Sequence, residues 1–185
     1  MKTRLSIITF TVLVLAFSSV FSTGCGDETE KASDIARSVQ TSIDSAQEKN
    51  TQATNLITQA VNQMSASQGD QVKTSLMQAQ DLANQIKTEL TNSKSQIDQA
   101  ASMDITSEYR SYLQAKSKSV ESSIAVNATD QEMINIWLSD PLMDKPDTLQ
   151  KITELQTMEV QQEAAATAAE AEAEAIANAN PNKIR

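Results

Sequence analysis

Histidine is absent from this chain, and cysteine occurs once, at Cys25. These two facts remove His/Cys metal centres, Cys–His nucleophiles and the Ser–His–Asp triad. A lone cysteine also has no partner for an intramolecular disulfide. Three glycines in 185 residues, at Gly24, Gly26 and Gly69, cannot build a glycine-rich phosphate loop. Together with Pro141, Pro146 and Pro181 they punctuate the chain too sparsely for a β-rich protein with many turns. Aromatic residues are scarce: Phe10, Phe17, Phe21, Tyr109, Tyr112 and Trp137 are all there are.

What is present falls into two unlike parts. Lys2 and Arg4 open the chain, an apolar run follows from Leu5 to Phe21 (LSIITFTVLVLAFSSVF), and small residues then lead to Cys25. A charged head, an apolar middle and small residues at a cut site make the layout of a secretory signal. The middle is shorter than the roughly 20 apolar residues of a spanning helix. This stretch, residues 1–25, resembles the signal peptides of bacterial lipoproteins, whose lipobox carries an aliphatic residue, two small residues and then the cysteine. Thr23, Gly24 and Cys25 follow that pattern, and Ser22 stands where leucine is usual. The resemblance implies a thioether-linked lipid on Cys25 and cleavage just before it. By resemblance to proteobacterial lipoproteins, Gly26 rather than Asp after the cysteine permits export to the outer membrane; the outer face of the cytoplasmic membrane is the other location. An ordinary cleaved signal with an incidental cysteine, and an uncleaved anchor, are the alternative readings of the same residues.

With residues 1–24 as signal and 25–30 as anchor and tether, loss of Lys2 and Arg4 takes the net charge from −9 to −11. An acidic surface argues against nucleic acid and against adhesion to anionic head groups. Attachment to a membrane then has to come from the lipid.

The remainder divides into a helical domain, residues 31–163, and an Ala/Glu-rich end, residues 164–185. From about Glu28 to Ser67, one seam holds Ala36, Ile43, Asn50, Ile57 and Met64, and the other Ala32, Val39, Ala46, Ala53 and Ala60. From Asp70 to Ser102 the seams are Leu76, Ala83, Leu90 and Ile97, with Val72, Ala79, Ile86, Ser93 and Ala100. Gly69-Asp70 supplies a stop and an N-cap between them. A third segment from Thr106 carries Tyr109, Leu113, Val120, Ile124, Ile134 and Leu138. Asn127, Ala128 and Thr129 interrupt it, and Thr129-x-x-Glu132 fits a capping box, so a kink or restart is expected there. The DPLMDKP stretch, Asp140–Pro146, breaks the chain, and Asp144 is placed to cap a fourth helix running to about Ala179. Ser38–Ile43, Gln71–Leu76 and Ser119–Ile124 echo one another faintly. Helical sequences poor in residue types produce such echoes by convergence, and no repeat family follows.

Four segments of similar length with short breaks predict an all-α protein of long antiparallel helices. An up-down four-helix bundle is the economical form, and extended helical hairpins the alternative. Leu149, Ile152, Leu155 and Val160 are expected to dock the last helix. Its end, residues 164–179, contains ten alanines. There, Glu170, Glu172 and Glu174 spread charge around the helix, so this part is expected to protrude.

Chemistry is hard to find. Carboxylate pairs such as Asp27/Glu28 lack the loop of several oxygen ligands that a calcium site needs, and no cofactor or metal is implied. The reading is a membrane-anchored envelope protein that is not an enzyme. It contacts another envelope protein, or a second copy of itself, through helix faces. A small-ligand or peptide module in the bundle interior is the alternative, with Asn50, Asn127 or Tyr112 flanking a pocket. Asn50 and Asn127 are candidates to fix register or partner number. Trp137 is either a core plug or an interaction contact.

Overall fold

A computed structural model of the chain describes residues 28–65, 69–141 and 145–184. The cysteine motif and its apolar leader lie outside the described residues, as does Asp144. The described residues form four long helices, α1 (Thr29–Ser65), α2 (Gly69–Ala101), α3 (Ser107–Ser139) and α4 (Pro146–Ala179), and a closing turn, α5 (Pro181–Ile184). The fold is all-α, with successive helices antiparallel, and helices of this length run about 50 Å. It is a four-helix bundle.

The small seam residues explain why the first helices lie so close. Ala32, Val39, Ala46, Ala53 and Ala60 are buried on α1, and Val72, Ala79, Ala83 and Ala100 on α2. The alanines among these seam residues let two backbones approach toward the lower end of the usual 8–10 Å separation. Side-chain bonds fix the register: Lys49 and Ser45 donate to Glu89, and Ser75 donates to Gln63. On the next seam Gln80 donates to Asn135, Gln131 to Asn84 and Ser117 to Asp98.

Each long helix comes within 8 Å, Cα to Cα, of its neighbours in sequence, whereas no described pair from α1 and α4 does. One seam of the bundle is therefore wide, and α3 is the long helix that α4 approaches most closely.

Sequence-level expectations hold best for α1 and α2 and need correction beyond them. Helix α3 runs without a restart: Thr129 does not cap a new helix but donates from Oγ1 to Gln162 Oε1 of α4 at 2.9 Å. Gly69 is already the first residue of α2, which puts Asp70 inside the first turn. The N-cap of α4 is Lys145, without a side-chain cap bond. Asp140 does that work instead, its Oδ2 accepting from the Lys145 backbone N–H at 3.1 Å and from Thr148 Oγ1 at 2.6 Å. The substitution Asp140→Ala should therefore cost about 1–2 kcal/mol, the scale of a lost cap, read as a lower urea midpoint with unchanged slope.

The Ala-rich end does not protrude. Ala166, Ala169, Ala173 and Ala177 are buried at helical spacing and form a seam of their own. Small side chains compensate for the lack of large ones by letting α4 lie close on α3. Val160, expected to dock, is 63% exposed, and Leu149 is exposed as well, while Ile152 and Leu155 are buried. The α4 stripe runs through Thr148, Ile152, Leu155, Glu159 and Ala166. A residue next to Glu159 points about 100° away from it on a helix of 3.6 residues per turn.

Candidate functional site

The core is split in two. One apolar cluster gathers α1 up to Ala46, α2 from Ile86, the start of α3 with Tyr109 and Tyr112, and Ala173, Ala177 and Ile184. The other gathers Ile57 and Ala60, the start of α2, Met133, Ile134 and Trp137, and Ile152 and Leu155. Between them lies a belt of polar residues at mid-bundle. The cross-helix bonds that register α1 and α3 against α2 place both Asn50 and Asn127 at the level of Thr88. Asn127 is buried and accepts a 3.4 Å bond from Gln131. Asn50 is half-buried.

The belt's α3–α4 side concentrates charge. Asp130 is 2% exposed and Glu159 5% exposed. Glu163, one turn beyond Glu159, is half-buried. Asp130 Oδ1 and Glu163 Oε1 are buried without a hydrogen-bond partner among the described residues. Burial, reinforced by the charges of Glu159 and Glu163, pushes the Asp130 carboxyl well above its ordinary value. Burial and then Glu163 push Glu159 up to about 7. Burial this deep favours the protonated form of each acid over the carboxylate. Among the described residues no three carboxylates are placed to hold a metal ion.

A second charged feature lies nearer the α3 start. Lys116 is 1% exposed and donates from Nζ to Glu170 Oε1 across the α3–α4 seam, with the Tyr112 ring centroid 5.7 Å away. Burial lowers the lysine's pKa, against the opposing pull of Glu170 and Glu174. Ser119 Oγ donates to the Ala166 carbonyl nearby at 3.2 Å. This pair anchors the Ala-rich part of α4, and Glu172 and Glu174 stay exposed.

Of the residues singled out in the sequence, Asn50 and Asn127 share one level. Tyr112 lies 15 residues from Asn127 along α3, about 22 Å away, and belongs to the apolar cluster. Trp137, 1% exposed, is buried in the other cluster. Asp130, Glu159, Glu163 and the Lys116–Glu170 pair escaped sequence reasoning, although a signal existed. Asp130, Ile134 and Trp137 follow at i, i+4 and i+7, and Glu159 continues the Ile152–Leu155 stripe, so each occupies a core position of its helix.

No family model, curated protein or solved structure matches this chain.

Proposed function

We propose that the chain is a lipid-anchored helical protein of the bacterial envelope, with a structural or protein-interaction role exerted through its helix faces. The single observation that carries this reading is the position of Cys25, directly after the signal-like run and four residues before α1 begins at Thr29. A lipid on Cys25 would hold the base of the bundle within a few residues of the bilayer. Acyl chains contribute about 0.8 kcal/mol per buried CH₂, and more than one chain gives stable anchoring.

The fold supplies a firm foot at that end. The Glu28 N–H donates to the Asp104 carbonyl at 2.9 Å, and its Oε2 accepts from the Asp104 N–H at 3.1 Å, which ties the start of α1 to the α2–α3 turn. Lys183 of α5 donates to Glu108 of α3 at 2.6 Å on the same end. The C-terminal ends of α1 and α3 then stand at the far end, about 50 Å from the bilayer. No helix among the described residues is long and apolar enough to cross a membrane, so attachment in this reading rests on the lipid. The partner is another envelope protein or a second copy of the chain, met along exposed helix faces.

Substituting Cys25→Ser should move the protein from the membrane pellet to the soluble fraction, or stall it as the unprocessed precursor. Mass spectrometry of the wild-type protein should find the diacylglyceryl adduct on Cys25 at a new N-terminus. An unmodified sulfur, or unchanged fractionation of the processed variant, overturns the anchor.

A further inference from the structure

The carboxylates in the α3–α4 seam serve no role in anchoring. Asp130 on α3 faces Glu159 and Glu163 on α4, two of the three almost fully buried, and each of Asp130 and Glu163 has a buried oxygen without a partner among the described residues. Glu159 and Glu163 are also four apart on one helix, a spacing at which like charges repel.

Among the described residues no cation is paired with them. On α3, Lys116 is committed to Glu170, and Lys118, Glu121 and Glu132 are exposed. On α4, Lys151 and Glu154 point to solvent. At this level of α2, Asp81 and Lys87 are exposed, and on α1 Lys49 is bonded to Glu89 while Glu48 is exposed. The helix that bears two of the three acids is also the one whose backbone stays away from α1. Repulsion in this seam therefore acts where α4 has only one close long neighbour.

We propose that the α3–α4 seam is an acid-strengthened joint: proton uptake by Asp130 and Glu159, beside Glu163, seats α4 firmly on α3, and proton loss loosens its middle. This inference stands apart from the lipid anchor and concerns the bundle alone.

The sign follows from linkage. Acids whose pKa is raised on folding bind more protons in the folded than in the unfolded state, so stability falls as pH rises from the unfolded value through the folded one. For Glu159 that window runs from about 4.5 to about 7. Asp98 acts outside it: burial raises its pKa, but hydrogen bonds from Ser117 and Lys94 hold it below the ordinary value, so its contribution is lost only at more acid pH.

The test is urea unfolding of the full chain in neutral detergent micelles at pH 8 and pH 5. The unfolding constant should fall on the order of 50-fold between them from Glu159 alone, since each unit of pKa shift is tenfold. In the double variant Asp130→Asn, Glu159→Gln that dependence should shrink to less than about threefold, and the variant should be the more stable protein at pH 8. A wild type indifferent to pH, or a double variant that keeps the wild-type dependence, overturns the joint. Hydrogen exchange on the wild type, corrected for intrinsic rates, provides a readout that needs no variant. Protection over residues 150–166 should rise at pH 5 by more than protection in α1 and α2, and an equal change throughout overturns the assignment to this seam.

Discussion

Truncating the only tryptophan, Trp137→Ala, should destabilise the bundle by about 3–5 kcal/mol, against a total of about 5–15 kcal/mol for a domain of ordinary stability. Trp137 is among the largest fully buried side chains and sits in the apolar cluster with Met133, Ile134, Ile152 and Leu155. Three of that cluster's other members are alanines, Ala60, Ala79 and Ala83, and none is aromatic. Aliphatic neighbours can therefore close only part of the space an indole leaves, and a cavity term remains. The position also joins α4 to the rest, because Ile152 and Leu155 are the α4 members of the cluster. The measurement is urea unfolding followed by helical circular dichroism, since the variant loses its own fluorescent probe. Trp137→Phe should cost much less than Trp137→Ala. It retains a ring and removes an indole N–H that is buried without a hydrogen-bond partner among the described residues.

The contrast between the two halves of the chain explains which parts of this fold could be read without coordinates. In α1 and α2 the hydrophobic stripe and the buried stripe coincide. Every seam residue named there is buried except Asn50 and Met64, which are half-buried. Periodicity works because burial there is bought by apolar side chains. In α3 and α4 the same geometric positions carry Lys116, Asn127, Asp130, Glu159 and Glu170. A reading that ranks residues by hydrophobicity then follows the nearest apolar residue off the stripe, which leads to Val160 rather than to the buried Glu159 beside it. The Ala-rich end misled in a related way. Alternating glutamates spread charge around the helix only while each is taken as ionised and solvated. Lys116 neutralises Glu170, and what then faces α3 is a continuous row of alanines.

Asp140 shows the limit from the other side. The break between α3 and α4 was legible from Pro141 and Pro146, yet the residue that caps it lies before the turn rather than in it. Its carboxylate reaches forward over five residues to the Lys145 N–H and over eight to the Thr148 hydroxyl. Sequence spacing describes contacts within a helix well, whereas this bond depends on the path of the connecting turn. The polar belt is of the same kind. Asn50 and Asn127 were each recognisable as polar intrusions in a seam, but that they occupy one level follows only from the register of three helices.

The Lys116–Glu170 pair permits a second large effect, and its sign depends on which partner is removed. Lys116→Met leaves Glu170 in the seam without its cation, and its Oε2 is already buried with no hydrogen-bond partner among the described residues. The expected loss is about 3–5 kcal/mol at pH 7.5. Removing both charges, Lys116→Met with Glu170→Leu, leaves two apolar side chains of similar volume, and such replacements range from neutral to about 1–4 kcal/mol stabilising. Urea unfolding of wild type, both single variants and the double variant gives the coupling between the two residues as a thermodynamic cycle. The pH dependence separates this account from a simple loss of packing. In Lys116→Met an isolated buried carboxylate can escape its penalty only by binding a proton. The deficit of the single variant should therefore shrink as pH falls from 7.5 toward 5. The double variant, having no such carboxylate, should show no recovery of this kind relative to wild type. A deficit in Lys116→Met that is the same at both pH values would mean that the lysine stem's contacts, and not the charge it brings to Glu170, hold the Ala-rich half of α4 in place.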